Sequence, residues 1–456
     1  MKNFDLGEGK VLVVKQKGKI SAIGTKCSHY GALLSTGALG DGRIRCPWHG
    51  ACFNIATGDI EDFPGQDSIP CYQVKVEQGQ IKVRAKKSDL EANKRTNIMA
   101  KRDPKDERTF VVIGGGPSGA TCAVTLRKNG FTGRVVLVCK EPVLPYDRIK
   151  VSKAMDSAAD KILLRTQKFY DDNHIETMLS VAASDLNSSE KEITLDNGYK
   201  IKYDKVYIAT GSAPRKAPVP GADLKNVVTL RNITDAHYVQ AQLNESAHVV
   251  VLGVSFVGLE AAAYSVKKVA KVTVIGRDSV PLRPSFGGEV GGRVMKMLQD
   301  EKIEFVMNSG IVRCNGTVDG VLESVELADG KILKADLCIM GVGSTLYTDF
   351  LKGSGLTINK NGSIDTNGFL ESSIRDIFIG GDIANSPPAE VHIEGSLEDL
   401  KFVAYYLNDA GTVIAISSCG KDPIVSQFAE FLSQGKTLTK AEIQEDAFAW
   451  LQKLNK

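Results

Sequence analysis

A pattern of strand, glycine-rich turn, helix and second strand occurs twice in this chain, and it limits the possible folds more than any other feature. Each copy begins with a short apolar run that is typical of a buried strand. The first copy covers strand 110–113, a helix over 118–129 and strand 135–138. The second covers strand 248–252, a helix over 256–268 and strand 272–275. The repeat predicts two α/β domains, each built on a parallel sheet.

The turn of the first copy matches G-x-G-x-x-G through Gly114, Gly116 and Gly119. The first glycine permits a tight turn, the second lets a pyrophosphate approach, and the third lets the helix pack on the strand. The phosphates then lie at the helix N-terminus. A ribose-binding acid usually ends the next strand. Lys140 aligns best with that position, and we expect the adjacent Glu141 to serve from a shifted one.

The turn of the second copy contains Gly253 and Gly258, but Ser255 replaces the middle glycine. Serine is small, so dinucleotide binding survives in a weaker form. No acid ends the following strand, and Arg277 there could pair with a 2′-phosphate. NADH and NADPH therefore both remain candidate ligands.

Residues 1–85 have a different pattern, with short strand-like runs between glycine turns, and this predicts an all-β domain. Cys27 and His29 lie on one of its loops, and Cys46 and His49 lie on another. A Rieske [2Fe–2S] centre needs this set, with two thiolates on one iron and two imidazoles on the other. The alternative is a Cys2His2 zinc site, but zinc fingers usually place both histidines on a helix. The pattern favours the iron–sulfur cluster.

The residues around this motif predict a low reduction potential. High-potential Rieske proteins carry an additional cysteine in each loop, and Ala32 and Trp48 occupy those positions here. Ala51 has no hydroxyl to offer a cluster sulfide, and fewer donors mean a lower potential. We expect Cys52 and Cys71 to be packed structural thiols.

Composition excludes several classes of protein. Formal net charge is only +3, from 57 basic and 54 acidic residues, so a nucleic-acid partner is not expected. The nine cysteines, without a secretory signal, argue against a disulfide framework. No run is long and apolar enough for a transmembrane helix, and a cytosolic location is the expectation. The segment 86–108 is rich in charge and is predicted to be an exposed linker.

Taken together, these motifs resemble the apoptosis-inducing factor-like family, in which a Rieske domain precedes a pyridine nucleotide-disulfide oxidoreductase-type reductase. The most specific segments are 46–53, 144–148 and 399–406. The resemblance implies FAD at the first turn and NAD(P)H at the second. It also implies that Arg148 and Lys153 lie near the flavin. Asp382, which follows a strand and two glycines, is a candidate for the ribityl chain or the pyrophosphate of FAD.

The implied fold is multi-domain, with the all-β Rieske domain followed by an α/β reductase of two Rossmann-type units and a small α+β C-terminal domain. The expected domains are 1–85 (Rieske, shortened at its start), 86–108 (linker), 109–240 and 345–386 (FAD), 241–344 (NAD(P)H) and 391–456 (truncated C-terminal domain). Two departures from the family are expected. An opening strand is missing before the first Gly-Lys-Val strand, and a flavin-covering helix and several strands are missing after Asp382.

The expected function is electron transfer from NAD(P)H through FAD to the Rieske cluster, and from there to an acceptor that the sequence does not name. A thiol–disulfide reductase would need a cysteine pair, but Cys122 and Cys139 form no C-x-x-C motif. A Rieske oxygenase would need a 2-His-1-carboxylate iron site, but the remaining histidines are scattered, at His174, His237, His248 and His392.

A function of a different class is a non-catalytic, pro-apoptotic interaction protein whose shortened reductase no longer holds FAD. Mitochondrial association and a homodimer are compatible with the resemblance, although no sequence pattern establishes either.

Overall fold

The structure is a computed structural model that describes residues 1–385, 390–408 and 410–454. Its N-terminal region consists of short strands and one short helix: β1 (Lys2–Asp5), β2 (Lys10–Gln16), β3 (Lys19–Gly24), β4 (Ala38–Gly40), β5 (Arg43–Arg45), β6 (Cys52–Asn54), β7 (Ile60–Asp62), β8 (Cys71–Glu77), β9 (Gln80–Arg84) and α1 (Lys87–Glu91). Two antiparallel sheets result, in the orders β1-β2-β3-β8-β9 and β4-β5-β6-β7. Leu12, Ile23, Ile44 and Phe53 are fully buried in their shared core.

One expectation for this region requires correction, and the structure adds detail to a second. A strand does precede the Gly-Lys-Val strand, because β1 pairs antiparallel with β2. The segment 86–108 is exposed or half-buried at all positions except Met99, and Arg95 in it exchanges backbone hydrogen bonds of 2.8 and 2.9 Å with Ser68. The backbone pairing of Arg95 and the burial of Met99 could not be predicted from the composition of the segment.

The middle of the chain alternates strands and helices: β10 (Thr109–Ile113), α2 (Pro117–Lys128), β11 (Arg134–Cys139), α3 (Ile149–Lys153), α4 (Gln167–Asp172), β12 (Ile175–Leu179), β13 (Ala183–Asn187), β14 (Glu192–Leu195), β15 (Lys200–Lys202), β16 (Lys205–Ile208), β17 (Ser212–Pro214), β18 (Val227–Val228), α5 (Ile233–Gln242), β19 (His248–Leu252), α6 (Phe256–Ser265), β20 (Lys271–Ile275), α7 (Arg283–Asp300), β21 (Glu304–Val306), β22 (Ile311–Gly316), β23 (Leu322–Leu327), β24 (Ile332–Lys334), β25 (Leu337–Met340), β26 (Ser344–Leu346) and β27 (Ile377–Ile379).

These strands form two parallel sheets of the same plan, in the orders β12-β11-β10-β16-β27 and β18-β25-β19-β20-β21. A small antiparallel sheet accompanies each of them, β13-β14-β15 and β22-β23-β24. The predicted pair of α/β units is therefore present. Because parallel strands are buried on both faces, the near-continuous apolar runs made both units recognisable from the sequence.

The second sheet begins earlier in the chain than residue 241. β18 pairs in parallel with β25, Val227 opposite Cys338 and Val228 opposite Ile339. Ile233 and Val239 of α5 are buried in the same core as Val249 and Val251 of β19. The boundary predicted between 240 and 241 therefore falls after elements that already belong to the second sheet.

The C-terminal region contains β28 (Glu390–Ser396), β29 (Lys401–Leu407), β30 (Val413–Cys419), α8 (Ile424–Ser433) and α9 (Lys440–Glu445). The described strands form an antiparallel sheet. Its helices cover a core in which Tyr405, Phe428 and Trp450 are almost fully buried. The chain continues from α9 into a 3-10 helix, Ala449–Lys453. Further 3-10 turns lie at Leu34–Thr36, Ala159–Lys161, Asp349–Leu351 and Gly381–Ile383.

Contacts divide the described chain into two units. One consists of Met1–Ile98 and the described residues of Pro387–Lys456, and the other consists of the described residues of Met99–Ser386. Both ends of the chain therefore belong to one unit. None of the described helices combines the length and the apolar composition that a membrane span requires.

Candidate cofactor sites

The cysteines and histidines of the N-terminal region lie on two loops that share a hydrogen-bonding pattern. In the loop between β3 and β4, Gly31 N donates to Cys27 O over 3.0 Å. In the loop between β5 and β6, Gly50 N donates to Cys46 O over 3.2 Å. Both glycines have a positive φ, +78° and +74°, which glycine adopts without steric cost. The two loops therefore turn in the same way after their cysteines.

The four side chains meet as a sulfur pair and an imidazole pair. Cys27 and Cys46 are each 1% exposed. Their side chains are hydrogen-bonded to each other, and accepting this bond lowers the pKa of Cys46 to about 6. The ring centroids of His29 and His49 are 5.0 Å apart with planes at 77°. His29 is half-buried and His49 is exposed, so the sulfurs point inward and the imidazoles lie toward solvent.

A [2Fe–2S] cluster and a single zinc ion require different arrangements of these four side chains. In a Rieske centre each iron takes only two protein ligands, either two thiolates or two imidazoles. A zinc ion would need its four ligands around one point. Among the described residues no three His, Cys, Asp or Glu side chains converge in that way. The separate pairs are therefore compatible with the predicted ligands Cys27, His29, Cys46 and His49.

The surroundings of the sulfurs are mostly apolar. Ala32 and Ala51 are buried, at 1% and 0% exposure, and neither carries a hydroxyl. The amide of His29 lies 3.5 Å from Cys27 Sγ, so the backbone is a donor to sulfur here. Cys52 is fully buried, as expected, and burial raises its pKa to about 11. The expectation for Cys71 is wrong, because this residue is exposed on the outward face of β8.

A cavity of about 670 Å³ lies over the glycine-rich turn between β10 and α2. A Cβ atom at Gly114 would lie 2.1 Å from Ala209 O, and one at Gly119 would lie 2.0 Å from Gly114 O. A Cβ atom at Gly116, by contrast, would meet nothing within 4 Å. Gly114 and Gly119 are therefore needed for packing, while Gly116 leaves space for a ligand above the N-terminus of α2.

Glu141 and Arg148 line this cavity, but they are bonded to each other. Their side chains form an ion pair. The Tyr146 hydroxyl donates to the Glu141 carboxylate over 2.6 Å, and Arg148 donates to the Tyr146 hydroxyl over 3.1 Å. The role of Glu141 as a ribose ligand stays a prediction. It requires the carboxylate to bind the ribose as well as Arg148 and Tyr146. Lys140 also lines the cavity, and its Nζ lies 4.6 Å from the centre of the Tyr347 ring.

Asp382 lies at the same cavity, where it has two partners. Its Oδ2 atom accepts from Ser212 Oγ over 2.8 Å and from Arg231 over 3.0 Å. Sequence reasoning missed Arg231 and Tyr347, both of which line the cavity. Neither lies in a recognisable motif, and each comes to the site only through the packing of distant segments. A capping box between Asn232 and Asp235 starts α5 beside Arg231 and is the nearest sequence signal.

Lys153 lies away from the lining of the cavity and contacts the second motif instead. Its Nζ is 3.4 Å from Glu260 Oε1, and Ser152 Oγ donates to the other oxygen of this carboxylate. Lys153 is on α3 and Glu260 is on α6, so the pair joins the two α/β units. Its role near the flavin stays a prediction.

The turn between β19 and α6 reproduces the geometry of the first turn. A Cβ atom at Gly253 would lie 2.2 Å from Gly341 O, and one at Gly258 would lie 2.3 Å from Gly253 O. Ser255 has φ −84° and ψ 178°, close to the −82° and 179° of Gly116. Its hydroxyl lies 3.4 Å from Gly341 O. Arg277 follows β20 and is exposed.

Comparison with known protein families gives two matches. Residues 108–395 match the pyridine nucleotide-disulphide oxidoreductase family, and residues 1–73 match the Rieske [2Fe-2S] domain. The first match covers more than half of the chain. It includes both glycine-rich turns, whereas the second includes both cysteine loops.

Individual proteins agree with these matches. Apoptosis-inducing factor 3 from Mus musculus is 34% identical over 507 aligned residues, which cover 97% of this chain and 83% of the relative. The Homo sapiens protein of the same name is 35% identical with the same coverage. Because the aligned length exceeds the 456 residues of the chain, the relatives contain residues without a counterpart here. The ferredoxin–NAD(+) reductase subunit of a benzene 1,2-dioxygenase system from Pseudomonas putida is 30% identical over 278 residues, 60% of this chain and 67% of that protein.

Solved structures support the fold. A ferredoxin reductase from Rhodopseudomonas palustris superposes with a TM-score of 0.67 at 23% identity, covering 76% of this chain and 99% of that one. A covalent putidaredoxin reductase–putidaredoxin complex gives a TM-score of 0.68 at 20% identity, with 77% and 98% coverage. At these identities the likeness establishes architecture rather than substrate.

Proposed function

Because the chain belongs to the pyridine nucleotide-disulphide oxidoreductase family, is related to apoptosis-inducing factor 3 and carries a Rieske [2Fe-2S] domain, we propose that it passes electrons from NAD(P)H through FAD to its own cluster. From there the electrons go to a separate acceptor. The family matches establish an NAD(P)H-dependent FAD oxidoreductase with an iron–sulfur domain. The internal route and the acceptor are the proposal.

One observation carries the proposal: a single chain contains a sulfur pair and an imidazole pair on matched loops as well as two glycine-rich nucleotide turns. FAD, when bound, supplies the conversion between a two-electron hydride donor and one-electron acceptors. A chain that already contains a one-electron acceptor module has a use for that conversion. A reductase without a Rieske domain would have to rely on a separate ferredoxin instead.

The residues of the first turn would hold FAD. The open space at Gly116 admits the pyrophosphate, and the positive end of the α2 helix dipole attracts its negative charge. Asp382, held by Ser212 and Arg231, faces the cavity with a fixed carboxylate. Arg148 and Glu141 neutralise each other at its wall, so the cavity keeps a polar side without a large net charge.

The residues of the second turn would hold NAD(P)H. Gly253 and Gly258 keep the helix close to the strand, while Ser255 narrows the path of the pyrophosphate by one hydroxymethyl group. The exposed Arg277 is free to approach a 2′-phosphate, which favours NADPH over NADH. The ion pair between Lys153 and Glu260 connects this turn to α3 of the first unit.

Cys27, Cys46, His29 and His49 would hold the cluster. The buried thiols give it an apolar, water-poor side, and the exposed His49 gives it an edge toward solvent. Electron exchange with a partner at that edge needs no movement of the buried sulfurs. Ala32 and Ala51, which are buried and carry no hydroxyl, support a low reduction potential, which suits a carrier that receives electrons from a reduced flavin.

A non-catalytic interaction protein is the second candidate, and one observation favours it. The relatives contain residues that this chain lacks, and the expected loss lies after Asp382, beside the flavin cavity. Part of that region, residues 386–389, lies outside the described residues. If the lost residues are needed to cover the flavin, the chain keeps its cluster without FAD.

The deciding experiment is the visible absorption spectrum of the full chain, prepared anaerobically with iron, sulfide and FAD. We expect flavin bands together with a Rieske-type spectrum, and bleaching of both after addition of NADH or NADPH. Cys46→Ser should remove the cluster bands, whereas Cys71→Ser, at an exposed cysteine, should keep them. A cluster spectrum without retained flavin would refute the enzymatic route for this chain and leave the interaction protein. Cluster bands that persist in Cys46→Ser would refute the ligand assignment.

A further inference from the structure

Both cluster loops are bonded by residues that lie outside the Rieske domain itself. Ser426, on α8 of the C-terminal region, donates its hydroxyl to the carbonyl of Cys46. Asn93, on the segment after β9, donates its side-chain amide to the carbonyl of Cys27 over 3.2 Å. The carbonyl of each predicted cysteine ligand therefore accepts a hydrogen bond from one side-chain donor. Asn93 precedes the reductase sheets in sequence, and Ser426 follows them.

The contact at Cys46 is part of a wider interface within the same unit. Helix α8 lies against β4 and β5. The Glu430 side chain is 3% exposed and accepts hydrogen bonds of 3.0, 3.1 and 2.7 Å from Arg43. Arg45, which is 5% exposed, lies 3.6 Å from Glu430 and donates to Gly50 O over 3.1 Å. Both ends of the second cluster loop, Cys46 and Gly50, are thus connected to α8.

Strand β4 leaves space for the Glu430 side chain. Gly40, on β4, has no side chain, and a Cβ atom there would lie 2.6 Å from the carboxyl carbon of Glu430. A buried carboxylate is costly unless it is paired and hydrogen-bonded. The glycine and the two arginines provide the space and the pairing that make this position tolerable.

We propose that Asn93 and Ser426 are positioning residues for the Rieske cluster, and that the Glu430–Arg45 pair fixes the second loop from the C-terminal region. The proposal rests on the assignment of Cys27 and Cys46 as ligands. Groups that hydrogen-bond to metal-ligand residues orient these ligands, and they affect both the retention of the metal and its reduction potential. A donor that withdraws charge from a ligand residue also favours the reduced cluster, so its loss lowers the potential.

The test compares Ser426→Ala and Asn93→Ala with two control variants, Ser433→Ala and Asn97→Ala, in the full chain loaded with iron and sulfide. Ser433 lies on the same helix and bonds Arg43 and the backbone of Glu430, but not a cluster loop. Asn97 lies on the same segment as Asn93 and bonds Ser68. We expect the two test variants to lose the cluster to an iron chelator about tenfold faster than the wild type, to show altered EPR g values and to have a lower potential.

The controls should behave like the wild type, which separates positioning from a general loss of stability. Asn93→Ala also covers the case in which the buried Ser426→Ala variant fails to fold, because Asn93 is partly exposed. Wild-type retention, g values and potential in both test variants would overturn the proposal and leave the ligand assignment intact. A wild-type chain that takes up no cluster would overturn both.

Discussion

Ser255 and Gly116 occupy the same place in two copies of one unit, and they differ by a single hydroxymethyl group. Their backbone angles agree within a few degrees, so the serine is accommodated without strain. Its hydroxyl points toward Gly341 O at 3.4 Å. We therefore expect the serine to weaken ligand binding without destabilising the fold.

Replacing Ser255 with glycine should strengthen binding of the nicotinamide cofactor. The pyrophosphate gains the closer approach that the middle glycine normally provides, which we estimate at about 1 kcal/mol, or roughly fivefold in Kd. Titration of the chain with NADH and NADPH, followed by intrinsic fluorescence, measures this change. An unchanged or higher Kd for both cofactors would show that the serine hydroxyl is itself a ligand of the phosphates.

Arg277 gives a second prediction, for the choice of cofactor. Replacement with alanine should raise KM for NADPH about tenfold, the loss of one charge-assisted pair with a 2′-phosphate, or about 1.4 kcal/mol. KM for NADH should stay the same, because NADH has no such phosphate. Arg283→Ala is the matched control, since Arg283 is also exposed but is bonded to Ser279 at the start of α7. An equal effect on both cofactors would assign Arg277 to general binding.

At the scale of single residues, the sequence predicted some features of the candidate sites and not others. Motif spacing predicted Cys27, His29, Cys46 and His49 as ligands of the candidate cluster, and the structure brings the two cysteines together and the two histidine rings within 5.0 Å of each other. Motif spacing could not predict that Glu141 pairs with Arg148, nor that Arg231 reaches Asp382 across 151 positions. The expectation for Cys71 was wrong because burial alternates along a strand, and only the pairing of β8 with β3 shows which face Cys71 occupies.

Elements with strong periodicity were predictable to within a few residues. The helix expected over 118–129 is Pro117–Lys128, and the strand expected over 248–252 is His248–Leu252. β18 could not be predicted, because two residues carry no periodicity and only the pairing with β25 makes them a strand. The length of the helix expected over 256–268 was overestimated, since Phe256–Ser265 ends before the lysines.

The glycines of the first turn lead to a prediction about the unit formed by β10 and α2. Gly119→Ala should destabilise the fold by about 1–3 kcal/mol, because its methyl group would lie 2.0 Å from Gly114 O and would push the helix from the strand. Gly116→Ala should leave stability within about 0.5 kcal/mol, because nothing lies within 4 Å of that methyl group. It should nevertheless weaken FAD retention at least tenfold, roughly 1.4 kcal/mol, by filling the path of the pyrophosphate.

Urea unfolding of the apo chain and the flavin absorbance that survives gel filtration measure the two effects separately. The contrast between the variants is the informative result. If Gly116→Ala keeps its flavin, the pyrophosphate does not pass over this turn. If Gly119→Ala is as stable as the wild type, the contact between helix and strand relaxes more easily than its distances indicate.

The grouping of the two chain ends into one unit could not be predicted from the sequence. The two ends belong to one unit, which contains the candidate cluster ligands, and the residues that lie between these ends in sequence form the reductase sheets of the other unit. The family resemblance assigned the C-terminal region to the reductase by sequence order. Arg43 and Glu430 are separated by 387 positions, and no local pattern announces a contact over that distance. Glu430 is buried on α8, and a buried glutamate is unusual unless it is paired with a cation.

This division predicts that the two units respond to different perturbations. Glu430→Ala should destabilise the unit formed by the chain ends by about 3 kcal/mol, because it leaves the buried Arg45 without one of its partners. Asp41→Asn is the matched control: the Lys17–Asp41 pair lies in the same unit but is 73% and 72% exposed, so its loss should cost less than about 1 kcal/mol.

FAD should act on the other unit alone. At one hundred times its Kd, a ligand that binds only the folded state stabilises it by about 2.7 kcal/mol. The cavity proposed for FAD is lined by residues of Met99–Ser386. Scanning calorimetry of the wild type and Glu430→Ala, with and without FAD, therefore should give two transitions, one lowered by the substitution and the other raised by FAD. A single transition that shifts with both would mean that the chain unfolds cooperatively as one body.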